Sequence, residues 1–331
     1  MTRATGHGQV RRFSVGWPLI VGLCLACVGC PSSSTSDAWP PGDKPKVLVS
    51  FPPLHSFATN VAGDDAVVKC FLTTTGPHAE SDPPVDRIQL AAKADVFFIN
   101  GLGLEGALPD KIQRKTTNRG WKVVDLGGQL DPRTLLEGVC HHEHKDGKHD
   151  HDHGTDPHVW LDVRKVKIMV NGIRDELKAR DPSHAAGYDQ RAAAYGERLD
   201  LLREYGLGLF KDLKQKKLIS FHDSLRYFAD CYGLEIAEAI QVDPGVEPSA
   251  EKMKQIVELC LKDHITAIAV EPQFPTNTSA KAILNALHQK DLQARFVEID
   301  PLETAPETDL GPELYEKKIR DNLKNLANVL K

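Results

Sequence analysis

Apolar and polar positions along this chain form short apolar runs and helical spacings, and the order in which these alternate predicts layers. Short runs rich in Val, Ile and Phe, bounded by turn residues, predict strands at 46–51, 67–72, 96–100 and 122–126. Helical spacing fills the gaps, as at 86–94 and 104–115. From 162 to 216 there is no strand pattern, and Asp181-Pro182-Ser183 divides the stretch into two helices. The second, from 184 to about 213, sets Tyr188, Ala192, Tyr195, Leu199 and Leu202 at three- and four-residue spacing. At 1.5 Å per residue it runs ~45 Å, enough for a strut between two lobes. Strands are predicted again at 217–221, 235–240, 267–270 and 295–299, with helices at 224–232, 249–264, 279–291 and 313–330. This alternation predicts an α/β fold of two lobes, each a parallel sheet flanked by helices, joined by one long linking helix. No sequence repeat relates the two halves.

Length and composition leave that picture unchanged. The chain has 331 residues, 41% of them apolar and 26% charged, which suits two packed domains of ordinary globular usage. The formal charge is −5. Arg3, Arg11 and Arg12 all precede residue 30, where no acid occurs, so the remainder is more acidic still. An acidic chain without a basic run argues against a nucleic-acid partner and suits attraction of cations.

The three arginines stand before an apolar run at 15–29, which is short for a membrane span and has the length of a signal-peptide core. Pro18 within it also disfavours a span. Cys27-Val28-Gly29-Cys30, followed by Pro31 and a serine-rich stretch, resembles a bacterial lipoprotein cleavage site with Cys30 lipidated, although Cys27 stands where a leucine is usual. Ordinary cleavage to a free periplasmic protein is the alternative. The expected organisation is a signal peptide with possible lipobox at 1–30, a flexible tether at 31–44, an N-terminal lobe at 45–181, a linking helix at 182–214 and a C-terminal lobe at 215–331. Beyond the leader, Cys70, Cys140, Cys231 and Cys260 are spaced irregularly and form no metal knuckle. In an oxidising compartment Cys231 and Cys260 are the candidate pair, and buried free thiols are equally compatible with the spacing.

Histidine adds the chemistry. Of 14 histidines, six fall in 13 residues: His141, His142, His144, His149, His151 and His153, with Asp and Glu between them. Imidazole suits zinc, copper and nickel. No apolar side chain occurs from 141 to 155, so the segment 140–155 has nothing to pack and is expected to be a loop that binds metal weakly and adaptably. Three further histidines are isolated. His78 follows a predicted strand in Gly76-Pro77-His78, His158 precedes a helix in Asp156-Pro157-His158, and His222 ends a strand in Phe221-His222-Asp223. Open α/β sheets present ligand residues at such junctions. Taken singly, each also reads as a buried, hydrogen-bonded histidine.

Taken together they carry a resemblance. Gly76-Pro77-His78, Asp86-Arg87-Ile88-Gln89-Leu90 and the run from Ala94 to Glu105 open a series that continues through Asp156-Pro157-His158-Val159-Trp160-Leu161-Asp162. Phe221-His222-Asp223-Ser224, Glu271-Pro272-Gln273-Phe274 and Asp300-Pro301-Leu302 follow. In this order, and over nearly the whole chain from about residue 46, these motifs resemble the zinc- and manganese-binding proteins of bacterial ABC importers, the cluster A-I substrate-binding family. The resemblance implies metal held in the inter-lobe cleft by His78 and His158 of the first lobe and His222 of the second. Manganese-type relatives carry Glu at the place of His222 and an Asp four residues after the glutamate of the fourth motif, where this chain has Pro275. Three imidazoles without a carboxylate favour zinc over manganese, with a water or nearby carboxylate completing the tetrahedron. Glu80 and Glu271 are the candidates to orient a ligand or to touch the metal directly. Gly76 stands where the family often has Asp, so the family's orienting carboxylate for His78 is absent at that position.

The implied function is capture of Zn2+, as transported ligand rather than cofactor, outside the membrane for an ABC-importer permease. A monomer is expected, without enzymatic activity, in the periplasm or on the outer face of a bacterial membrane, anchored if Cys30 is lipidated. Import of Mn2+ or Fe2+ is the alternative within the family. A periplasmic zinc hydrolase is the alternative from another class, because three histidines and a water also make a catalytic zinc site; no motif supplies a nucleophile or paired acids beside the ligands.

Overall fold

The computed structural model describes residues 38–78, 82–118, 120–138, 154–241, 246–272 and 278–330. The first sheet contains β1 (Lys46–Val49), β2 (Val67–Cys70), β3 (Val96–Ile99) and β4 (Lys122–Asp125), all parallel in the order β2-β1-β3-β4. Helices α1 (Pro52–Ala62), α2 (Val85–Ala91) and α3 (Leu108–Lys115) connect its strands. Two longer helices follow, α4 (Val163–Arg180) and α5 (Ala185–Phe210). The second sheet contains β5 (Lys217–His222), β6 (Glu235–Gln241), β7 (Ala267–Val270) and β8 (Arg295–Glu298), again all parallel, in the order β6-β5-β7-β8. It carries α6 (Arg226–Tyr232), α7 (Ala250–Asp263), α8 (Thr278–Gln289) and α9 (Leu314–Val329). The two sheets share one strand order although no sequence repeat relates them.

Why apolar runs become strands here follows from the pleat. Successive side chains of a strand point to opposite faces. Val47, Val49, Val96 and Phe98 face one core, while Leu48, Phe97 and Ile99 face another with Trp121. In the second sheet Leu218, Ala267 and Ala269 join the first core, and Ile219, Phe221 and Ile268 join a third with residues of α7 and α8. Both sheets are buried on both faces, which is why β3 reads as uninterrupted Val96-Phe97-Phe98-Ile99.

The core common to both sheets is completed by α5. Its buried stripe is Tyr188, Ala192, Tyr195, Leu199, Leu202 and Phe210. At 26 residues it runs about 39 Å, packing on α1 and α4 of the first lobe and on α6 and α9 of the second. It is shorter at both ends than the predicted 184–213: Pro182–His184 form a separate 3-10 turn ahead of it, and it ends at Phe210. Close approach at its far end requires Gly206: a Cβ there would lie 2.4 Å from the Tyr232 ring and 2.9 Å from Leu323.

The cysteines differ from the pairing considered above. Cys231 on α6 belongs to the shared core and Cys260 on α7 to the outer core of the second sheet, so the sheet separates them and both are free. Burial pushes both thiols up to about 12, which leaves them unreactive. Among the described residues no helix is long and apolar enough to cross a membrane.

Candidate metal centre

Side chains from three strand ends and one helix entrance meet between the sheets. His78 lies in the loop after β2, His222 is the last residue of β5, and Glu303 follows β8. His158 caps the short 3-10 turn Val159–Leu161 that leads into α4. The Asp162 carboxylate accepts the Arg164 N–H at 2.9 Å, capping α4 and fixing where that turn must end. Upstream, the Asn100 amide donates to the Pro157 carbonyl at 2.9 Å. Asn100 is held in turn by the buried carboxylate of Glu105, which accepts the N–H groups of Asn100 and Gly101 at 2.7 and 3.0 Å and the Ser50 hydroxyl at 2.7 Å. A local cap at Asp162 and the long-range bond from Asn100 to Pro157 therefore set the backbone of His158 on a rigid base before any metal is considered.

The ligand atoms converge. Glu303 Oε1 lies 3.6 Å from His78 Nε2 and 3.7 Å from His158 Nε2. One ligand atom from each of His78, His158 and Glu303 falls within 4.8 Å of the others. Two donor atoms on a tetrahedral zinc, with bonds of about 2.0–2.1 Å, stand roughly 3.3 Å apart, so small inward movements bring these three to bonding distance. The His222 ring closes the group from the second lobe, its centroid 5.6 Å from that of His158 and 6.2 Å from that of His78. His158 Nε2 and Glu303 Oε1 are buried with no hydrogen-bond partner. Such atoms are costly unless another group satisfies them. A cation between them does so, and imidazole with carboxylate is a donor set that zinc accepts. The residues present therefore fit a divalent metal.

Neighbouring carboxylates orient the rings. Asp156 Oδ1 is 2.8 Å from His158 Nδ1, which keeps the proton on Nδ1 and leaves the Nε2 lone pair for the cleft. Glu271 Oε1 is 3.6 Å from His222 Nδ1 and accepts the Ser224 hydroxyl at 3.2 Å. Burial alone would lower the His222 pKa; Glu271 foremost, then Glu303 and Asp223, outweigh it and hold the ring above its ordinary value. Burial would likewise raise Glu303, but the three imidazoles, His78 first, keep it below the usual carboxylate range. Asp223 goes the other way: burial raises it, Asp156 adds to that, and Arg226 opposes it.

Of the residues singled out from sequence, the structure brings His78, His158 and His222 together, with Glu271 behind His222. Glu80, Cys30 and the six histidines from His141 to His153 lie outside the described residues. What can be described is where that histidine-dense segment departs. Glu137 and Thr155 form an antiparallel bridge, Gly138 N–H donates to the Gly154 carbonyl at 2.8 Å, and Asp156 N–H donates to that of Leu136 at 2.9 Å. Its stem thus runs directly into Asp156-Pro157-His158. Glu303, which the sequence reading did not single out, stands beside the three imidazoles as a nearby carboxylate. The motif Asp300-Pro301-Leu302 stops one residue short of it. The available signal was position: like His78 and His222, Glu303 stands at or just beyond the carboxyl end of a strand.

Comparison with known proteins gives the same outline. The family described as zinc-uptake complex component A, periplasmic, matches residues 47–329. The high-affinity zinc uptake system protein ZnuA of Brucella abortus is 32% identical over 328 residues, covering 88% of this chain and 92% of that protein. The zinc-binding lipoprotein AdcA of Streptococcus pneumoniae is 31% identical over 318 residues, covering 94% of this chain. The match spans about 60% of the length of AdcA. A ZnuA deletion mutant solved with zinc bound superposes with a TM-score of 0.71 at 26% identity, covering 87% of this chain and 99% of the other.

Proposed function

The chain belongs to the zinc-uptake complex component A family, and from that premise we propose that it captures Zn2+ outside the membrane and delivers it to the permease of an ABC importer. The observation that carries the proposal is the convergence of His158 Nε2 and Glu303 Oε1, both buried without a hydrogen-bond partner, on His78 Nε2. With His222 these make three nitrogens and one carboxylate oxygen. That set suits tetrahedral zinc better than manganese, which favours more oxygen ligands. The zinc-binding descriptions of the AdcA and ZnuA relatives support the same metal.

No bond to carbon is made or broken. Hydrated zinc exchanges its waters for neutral imidazoles and an ionised carboxylate, and binding excludes the second proton that would make each ring cationic. His78 and His158 come from the first lobe, His222 and Glu303 from the second, so a bound ion ties the lobes together. The permease then receives the ion from a loaded, monomeric protein. The lobes are read as residues 45–181 and 215–331 with 182–214 between them. Residues 1–30 are read as a leader whose Cys30 is lipidated, and the histidines at 141–153 as a weak accessory site. Zinc–manganese competition on the purified protein, together with its elemental content, tests the metal. Preferential retention of one zinc per chain supports the reading, and displacement of zinc by equimolar manganese defeats it.

A further inference from the structure

Trp160 stands two residues after His158 and is completely buried. Its ring meets Phe51 edge-on at 4.8 Å between centroids and lies 5.2 Å from the ring of His158. The indole Nε1–H crosses to the other lobe and donates to the Pro301 carbonyl at 2.7 Å. Pro301 is two residues ahead of Glu303. One short segment of the first lobe therefore supplies both a histidine of the site and a hook on the backbone that carries the carboxylate.

That backbone needs a hook. Residues 301–306 lie between β8 and the 3-10 turn Glu307–Asp309 and belong to neither helix nor strand. Leu302 sits at φ 65°, in the left-handed region that a side chain with a Cβ avoids unless its surroundings impose it. Three contacts impose it. Leu302 N–H donates to Asp300 Oδ1 at 2.8 Å, Trp160 takes the Pro301 carbonyl, and Ala305 N–H donates to the Thr73 carbonyl of the first lobe at 2.8 Å. The hook is itself anchored, because the Tyr315 hydroxyl donates to the Trp160 carbonyl at 2.8 Å.

We infer that Trp160 is a positioning residue for Glu303: its indole N–H holds the 301–305 segment across the cleft so that the carboxylate stays opposite His78 and His158. The inference rests on the reading of Glu303 as a zinc ligand. Without the indole donor, Leu302 relaxes from its left-handed conformation, Glu303 swings away and zinc leaves faster, while the three histidines are untouched. Linkage makes the effect reciprocal, so zinc held by Glu303 strengthens the hook.

The test is a double-mutant cycle on zinc release into excess chelator, using Trp160→Phe, Glu303→Ala and the pair. Trp160→Phe keeps an aromatic ring and removes the donor. The expected result is release faster by about tenfold in the wild-type background, from loss of one buried hydrogen bond, and no further acceleration when Glu303 is already Ala. Equal acceleration in both backgrounds marks a general packing effect and overturns the inference, as does no acceleration in either. If Glu303→Ala alone leaves zinc affinity unchanged, the ligand assignment itself fails and the inference with it. A second measurement needs no Trp160 substitution. Hydrogen exchange of the Trp160 indole N–H, followed by nitrogen-15 NMR, slows on zinc loading in the wild-type protein and not in Glu303→Ala. Equal exchange with and without zinc in the wild-type protein overturns the inference.

Discussion

Asp156 Oδ1 lies 2.8 Å from His158 Nδ1 and also accepts the His158 backbone N–H at 3.0 Å. One buried carboxylate thus fixes both the ring and the chain of the same histidine. The ring carries its proton on the side of Asp156 and turns Nε2 toward Glu303. Asp156→Asn keeps the size of the side chain but no longer dictates the tautomer. Zinc affinity should fall by about 10- to 100-fold, the usual effect of losing a carboxylate behind a metal-ligating histidine. Competition against a chelator of known affinity measures it, and unchanged affinity counts against the orienting role.

Arg226 serves two acids at once. Its guanidinium is 3.9 Å from Asp156 in the first lobe and 4.0 Å from Asp223 in the second, and it donates to the Glu137 carbonyl at 2.6 Å. Arg226→Gln leaves the two carboxylates facing each other without a counter-charge. The metal-free protein should lose about 1 kcal/mol of stability, a modest figure because the arginine is partly solvated. Chemical denaturation at low salt reads the loss, and the difference should shrink as salt rises.

The His222 ring predicts how zinc binding depends on pH. Burial would lower its pKa, but Glu271, Glu303 and Asp223 together hold it above 6.5. Protons and zinc compete for the ring, so affinity should begin to fall at a pH above 6.5 as the solution is acidified. The sign for the metal-free fold is opposite. A raised folded-state pKa adds stability that is complete below the unfolded value and lost as pH rises through the folded value. Glu271→Gln removes the foremost opposing carboxylate and should move the loss of zinc affinity to lower pH. Titrations from pH 5 to 9 on both proteins compare the two onsets.

His55 gives a prediction far from metal chemistry. It lies on α1, and burial lowers it to about 4, the backbone of Val68 opposing that and Lys69 adding a smaller push downward. The unfolded chain binds that proton near 6.5, so between the two values the unfolded state holds more protons and stability falls as pH falls. The gap corresponds to at most about 3 kcal/mol. Replacing His55 by Gln should flatten the loss of stability of the metal-free protein between pH 6.5 and 4, read as the midpoint of urea unfolding at each pH.

Much of the fold was legible in the sequence because short apolar runs bounded by turn residues and helical spacing are local patterns. The strands agree with expectation to within a residue or two, and the α5 stripe was readable from Tyr188 to Leu202. The start of α3 was not. Helical spacing extended it back to residue 104, yet Gly101, Gly103 and Gly106 adopt positive φ, as does Leu102, and the helix begins only at Leu108. The three histidines were visible because each sits in a recognisable motif. Glu303 escaped because no periodicity marks a loop side chain. Its place depends on Trp160 and Thr73, distant in sequence, holding the backbone on either side of it.

In the proposed function zinc is held by His78, His158, His222 and Glu303 rather than by the histidine-dense segment. Calorimetric zinc titration separates the two. Alanine at any of the four positions should sharply weaken the tight site, whereas deletion of residues 141–153 should leave one tight site per chain. Loss of all tight binding in the deletion, with tight binding retained in the four alanine variants, would contradict it.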